Sequence, residues 1–130
     1  MVFPKWLVAG GKPSTRQAGE AAEVRALRHL QAAGLHLLER NYRTPGRGGG
    51  EIDLVMRAAD GTLVFVEVRQ RAGGQHGGAA GSVGPLKQRR IVLAARHYLG
   101  RWRAPPPCRF DVVAIEGEAL HWLPGAFEAE

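Results

Sequence analysis

A single cysteine, Cys108, stands in the 130 residues, which excludes an internal disulfide and suits a reducing cytosol. Preceded by Pro105, Pro106 and Pro107, it reads as a small packed residue rather than a nucleophile. No apolar run approaches the length of a bilayer span, and Trp6-Leu7-Val8-Ala9 is too short for a secretory core, so the chain reads as cytoplasmic with no membrane partner. The five histidines, His29, His36, His76, His97 and His121, are neither closely paired nor accompanied by partner cysteines, and no zinc site follows from them. A Gly-x-Ser-x-Gly elbow, a dinucleotide fingerprint and internal repeats are all missing. Gly10-Gly11-Lys12-Pro13-Ser14 has neither the earlier glycine, the unbroken Gly-Lys-Ser order nor the preceding strand of a phosphate loop. The most informative absence is one of charge. Between Glu67 and Asp111 there is no acid, while Arg69, Arg71, Lys87, Arg89, Arg90, Arg96, Arg101, Arg103 and Arg109 all fall in or bound that interval. A sustained field of one sign attracts a polyanion, nucleic acid being the commonest, although an Arg-rich soluble surface would look the same in composition.

What is present is enough for one folded domain. A hydrophobic share of 45% against 23% charged and a net charge of +6 place the chain outside the disordered class. Residues 1–13 carry Pro4, Gly10, Gly11 and Pro13 without periodicity and are expected to be a flexible tail, with the domain over 14–125 and a C-terminal tail over 126–130. Ser14 and Gln17 have capping-box spacing and open a helix in which Ala21, Val24, Leu27 and Leu30 form the apolar stripe until Gly34 stops it. On that helical wheel Glu20 lies on the stripe side, while Glu23, Arg25 and Arg28 look outward. By spacing alone Glu20 reads as a first-turn acid favoured by the helix dipole. A strand over 35–42 and a glycine-rich loop over 44–50 follow. A second helix over 85–99, opened by Pro85 and ended by Gly100, presents Ile91, Ala94, Ala95 and Tyr98 to the core and Lys87 one turn earlier. A strand over 109–115 and a short one over 120–123 complete the chain, and Trp102 reads as a lid on the core. The glycine-rich segment 73–84 reads as either a lid over a site or a connector without function.

The centre of the sequence is a hairpin with acids inside its strands. Glu51-Ile52-Asp53-Leu54-Val55-Met56-Arg57 and Leu63-Val64-Phe65-Val66-Glu67-Val68-Arg69-Gln70-Arg71 flank an Asp60-Gly61 turn, the ordinary signal for paired antiparallel strands. A three-residue loop, Ala59-Asp60-Gly61 with Gly61 left-handed, pairs Ala58 with Thr62 and sets Asp53 opposite Glu67. Ile52, Leu54, Val64, Val66 and Val68 then form an apolar back, with Asp53, Glu67 and Arg69 on the other face. Two converging carboxylates repel unless a divalent cation lies between them, and an oxygen site with open positions suits magnesium. The residues themselves leave a second reading open: an edge hairpin whose charges are solvated, or Glu67 paired to Arg69 or Arg71.

The motifs Gly19-Glu20-x-x-Ala, Tyr42-Arg43, Gly50-Glu51-Ile52-Asp53-Leu54-Val55, Val64-Phe65-Val66-Glu67-Val68-Arg69, Lys87-x-x-Arg90-Ile91 and Arg109-Phe110-Asp111-Val112-Val113, in that order, resemble the YraN family of bacterial proteins, over roughly residues 18–123. That family is itself similar to archaeal Holliday junction resolvases within the restriction-endonuclease-like, or PD-(D/E)xK, superfamily. The resemblance implies an α/β fold with a restriction-endonuclease-like core in α-β-β-β-α-β order, a mixed central sheet flanked by helices. It implies a magnesium-dependent endonuclease, manganese also serving, acting on DNA that is branched or damaged, and it is compatible with a homodimer. Asp53, Glu67 and Glu20 would be metal ligands, Arg69 would stand at the lysine position, and Glu51 and Lys87 would line the site, Lys87 standing in for the missing amine. Arg43, Arg47, Arg71, Arg89, Arg90 and Arg96 are the cations expected to hold the nucleic acid. Arg69 departs from the pattern, because a guanidinium stays protonated and binds phosphate as a planar fork. The alternative is therefore a non-catalytic nucleic-acid-binding module on a nuclease fold.

Overall fold

The computed structural model describes residues 14–71 and 83–129. The expected tail over 1–13 and nearly all of the glycine-rich segment over 73–84 lie outside the described residues. Helix α1 (Thr15–Ala32) begins at the anticipated capping box: Ser14 Oγ accepts from the Gln17 N–H and Gln17 Oε1 accepts from the Ser14 N–H. It is followed by β1 (His36–Arg43), β2 (Glu51–Arg57), β3 (Leu63–Arg71), α2 (Pro85–Leu99), β4 (Cys108–Glu116) and β5 (Ala119–Phe127). The five strands form one sheet in sequence order, antiparallel except for the parallel β3–β4 pair. A parallel neighbour requires a crossover, and α2 lies within it. None of the described helices is long and apolar enough to cross a membrane.

The turn between β2 and β3 has the anticipated form. Ala58 N–H donates to Thr62 O, Gly61 N–H donates to Ala58 O, and Gly61 adopts φ +92°, a conformation that costs a residue with a side chain but not glycine. The register follows from it: Leu54 faces Val66, Val55 faces Phe65 and Met56 faces Val64. All six are fully buried, and each such side chain stabilises the fold by about 1.5–3 kcal/mol. A one-residue slip would exchange the faces of one whole strand, so the register is held by the core as well as by the turn.

Both faces of the sheet are covered. On one, Ala22, Ala26 and Leu30 of α1 pack on Leu54, Met56, Val64, Val66, Val113 and Ile115. On the other, Ile91, Val92, Ala94, Ala95 and Tyr98 of α2 pack on Tyr42, Ile52, Val55, Leu63, Phe65, Phe110 and Val112, with Trp102 closing the edge of this cluster. Four expectations change. Ile52 belongs to the α2 side rather than the back formed by Leu54, Val64, Val66 and Val68. Strict alternation would set Ile52 with Leu54, but Ile52 packs in the α2-side cluster with Tyr42, its partner on β1, next to Asn41 at φ 51°. The buried stripe of α1 is Ala22, Ala26 and Leu30 rather than Ala21, Val24, Leu27 and Leu30, a rotation about the helix axis that keeps only Leu30 in common. Cys108 is exposed rather than packed. The last strand runs to Phe127, whose ring stacks on Phe110 at 5.0 Å, instead of ending at Leu123.

Asp111 explains that longer strand. It is fully buried at an irregularity in the β4–β5 register between Phe110 and Val112. Its carboxylate accepts from Arg109 Nε at 3.0 Å, from Trp122 Nε1 at 2.9 Å and from the Gly125 N–H at 3.0 Å. One side chain thereby satisfies donors from two strands where the ladder cannot. Replacing Asp111 by Ala leaves the indole and amide donors unpaired and Arg109 without its counter-ion. The expected loss is about 3 kcal/mol of unfolding free energy, read as a lowered urea midpoint.

Candidate active site

Asp53 and Glu67 meet where β2 and β3 part. The paired register extends from Arg57 and Leu63 to Leu54 and Val66; one step further Asp53 comes opposite Glu67. There the ladder gives way to a side-chain bond, the Val68 N–H donating to Asp53 Oδ2 at 2.8 Å. The two carboxyls are themselves hydrogen-bonded to each other. Glu67 is 7% exposed, and burial, followed by the hydrogen bond to Asp53 and the charge of Asp53, pushes its carboxyl up to about 8. At neutral pH Glu67 therefore keeps its proton, which relieves its repulsion by the neighbouring Asp53.

Helix α2 brings a cation to this pair. Lys87 Nζ lies 3.5 Å from Glu67 Oε2 and 3.8 Å from Glu51 Oε1, so the ammonium bridges the start of β2 and the middle of β3 and partly offsets the upward push on Glu67. Arg43, opposite Glu51 on β1, places Nε 3.2 Å from Glu51 Oε2. Arg43, Thr44, Gly46, Gly49, Gly50, Glu51, Lys87 and Arg90 line a cleft of about 260 Å³ beside the acid pair. Arg69, half-buried, follows Glu67 by two residues on the same face of β3.

The structure does not bring Glu20 to this cluster. Its side chain is 62% exposed and pairs with Arg16 at 3.3 Å. The α1 acid that approaches is Glu23, expected to look outward but held inward by the rotated helix face. It is paired with Arg40 of β1 at 3.7 Å, its Oε1 makes no hydrogen bond, and burial, then the charge of Asp53, raises its carboxyl above the usual range. The signal that finds it is the i, i+4, i+7 series Glu23, Leu27, Leu30, which is overlooked when the stripe is started at Ala21. Of the expected nucleic-acid contacts, Arg43 and Arg90 flank the cleft and Arg47 is exposed on its loop. Arg89 and Arg96 instead line a separate groove with Leu93 and Glu128, and Arg71 lies at the far end of β3, half-buried.

These features define a mixed α/β protein with a five-stranded sheet between two helices and an acid pair at the opening of its central hairpin. The sequence profile of the uncharacterised protein family UPF0102 matches residues 22–115, which span Glu23, the acid pair and Lys87 but not Glu20. The chain is 68% identical over 124 residues to a UPF0102 protein of Acidovorax sp. (strain JS42), covering 94% of each. It is 71% identical over 116 residues to one from Albidiferax ferrireducens, covering 89% of this chain and 91% of the relative. It belongs to the UPF0102 family, the YraN family that its motifs resemble.

The protonation of Glu67 makes stability depend on pH in a defined direction. Its folded pKa, about 8, lies above its ordinary value of 4.5, so the folded state retains a proton that the unfolded chain gives up. The associated stability is complete below about 4.5 and is lost as pH rises through about 8. Glu67→Gln keeps a neutral hydrogen-bonding group there. In thermal melts at pH 5, 7 and 9, the wild-type Tm should fall relative to that of the variant across the series, and parallel curves would refute the protonated pair.

Proposed function

We propose that this protein is a magnesium-dependent nuclease with a restriction-endonuclease-like core, hydrolysing phosphodiester bonds in DNA, branched or damaged DNA being the substrate its family resemblance favours. The observation that carries the reading is the convergence of Asp53 and Glu67 from adjacent strands at the mouth of a basic cleft. The order α-β-β-β-α-β, to which β5 is appended, supports the same class.

The donor set fits a magnesium ion of the substrate-assisted kind. Among the described residues no three acid, histidine or cysteine side chains gather as a closed cage. Magnesium is ordinarily bound through one or two carboxylates together with water and substrate phosphate oxygens, and the carboxyls of Asp53 and Glu67, set beside each other where the β2–β3 ladder ends, are such a half-site. Asp53 and Glu67 would hold the ion, which when bound supplies an acidified water and neutralises charge on the phosphoryl oxygens. The chain's own groups do the rest. The Val68 N–H orients Asp53. Glu67 would give up its proton to solvent on becoming a ligand. Lys87, already within reach of Glu67, supplies the compact ammonium that Arg69 cannot, and Arg69 offers its planar fork to phosphate oxygens. Glu23 adds negative charge from α1 on the Asp53 side.

A second reading, a non-catalytic nucleic-acid-binding module on the same fold, is favoured by one observation, the guanidinium of Arg69 at the lysine position. Junction, flap and linear DNA incubated with magnesium or manganese separate the two. The nuclease cuts at least one of them, EDTA stops it, and Asp53→Asn and Glu67→Gln each reduce the rate by about 100-fold or more, as loss of a metal-activated nucleophile requires. Lys87→Met should reduce it by about 10- to 100-fold, on the scale of losing one charge-stabilising group. Cutting that persists in Asp53→Asn defeats the site, and salt-sensitive binding with no cutting under any metal establishes the second reading.

A further inference from the structure

The cleft beside the acid pair contains three cations and one acid, and the acid is arranged unusually. The two carboxylate oxygens of Glu51 are divided between two cations from different elements: Oε2 faces Arg43 Nε of β1 at 3.2 Å and Oε1 faces Lys87 Nζ of α2 at 3.8 Å. Arg90, one turn along α2 from Lys87, lines the same cleft and is exposed. The opposite wall is the loop over 44–50, closed on itself by the Thr44 N–H to Gly50 O bond at 3.0 Å and the Gly50 N–H to Thr44 Oγ1 bond at 2.7 Å. That wall is pressed on the helix: a Cβ on Gly50 would collide with the carbonyl of Arg90 and lie 3.1 Å from the Ala94 nitrogen. The shape of the cleft is therefore held by backbone, while its charge is held by long side chains.

We propose that this cleft is a phosphate-binding subsite for the backbone next to the bond at Asp53 and Glu67, and that Glu51 occupies the anion position until a phosphate displaces it. The identification of the ligand as nucleic acid rests on the nuclease reading; the anion chemistry does not. A phosphodiester presents two charged oxygens that can replace those of Glu51, and Arg90 adds a further donor. The Glu51 carboxylate is 45% exposed and the Arg43 side chain 74% exposed, and ion pairs so exposed hold weakly. Displacement is accordingly easy, and the released carboxylate can turn to solvent. A cross-strand pair kept only for β1–β2 stability would account for Arg43 and Glu51. It would not account for the second cation brought by α2, or for the concave wall set against it.

The test follows binding of a short fluorescein-labelled DNA duplex in EDTA by anisotropy over a sodium chloride series. Arg90→Gln and Arg43→Gln should each weaken binding by about 3- to 10-fold and lower the slope of log affinity against log salt by about one. Glu51→Gln, which empties the anion position, should strengthen binding by about 3- to 10-fold. Unchanged affinity in the Arg43→Gln, Arg90→Gln double variant, or weaker binding by Glu51→Gln, overturns the proposal; both arginines are exposed, and an unchanged melt in sodium chloride verifies the fold of each variant. Wild-type protein that binds DNA through this cleft without cutting it under any metal would leave the subsite standing and remove the nuclease. Protein that cuts while the cleft variants bind normally would do the reverse. If no DNA binds, inorganic phosphate decides. A Tm raised by phosphate in wild type and not in the double variant identifies a free phosphate ligand, and no rise in either overturns the subsite.

Discussion

The hydrogen-bonded carboxyl pair of Asp53 and Glu67 is the constraint around which the functional half of the molecule is arranged. Where a regular antiparallel ladder would continue, Asp53 reaches across to the Val68 amide and the strands separate. The opening is affordable only because the charge is managed locally. Burial of two carboxylates side by side would be strongly unfavourable. A proton retained on Glu67 relieves that repulsion, and Lys87 Nζ lies 3.5 Å from the same carboxyl.

Much of this arrangement is legible in the chain because short-range chemistry determines it. Asp60-Gly61 with Gly61 left-handed sets a three-residue loop, the loop sets the register, and the register aims residues 53 and 67 at each other. The second helix is equally readable, since Pro85, Gly100 and the Ile91, Ala94, Ala95, Tyr98 spacing agree. The first helix is not. Ala21, Ala22 and Ala26 are equal in hydrophobicity and both stripes end on Leu30, so a window of 3.6-residue periodicity cannot choose between the two faces. Tertiary packing chooses the face on which Ala22 and Ala26 let the helix approach the sheet, and that choice exchanges Glu20 for Glu23 as the acid nearest Asp53. The fate of Ile52 is hidden for a related reason: period-2 reading assumes an unbroken pleat, and nothing local to β2 signals that Ile52 joins the α2 side with Tyr42, its partner on β1. The length of β5 escapes notice because Pro124-Gly125 reads as a terminator, and only the fully buried Asp111, accepting from the Gly125 amide, shows why the strand continues past it.

The position of Lys87 carries the strongest physical argument that the site is more than a packing accident. It sits in the first turn of α2, two residues after Pro85, where the exposed N–H groups and aligned dipoles make a positive charge unfavourable by about 0.3–1 kcal/mol. The cap residue, Gly84, contributes no side-chain acceptor to offset this, and the first turn contains no acid. A lysine in that place is therefore sustained from outside the helix, by Glu51 at the start of β2 and Glu67 in the middle of β3. Arg69, the cation nearest in sequence to Glu67, could neutralise the same carboxyl only as a wide, rigid fork. A compact ammonium delivered from the helix leaves space between the acids and the cleft, and this space, bounded by Arg43, Arg90 and the loop over 44–50, is the place where the proposed phosphate ligand would meet the cations of the acid-free interval.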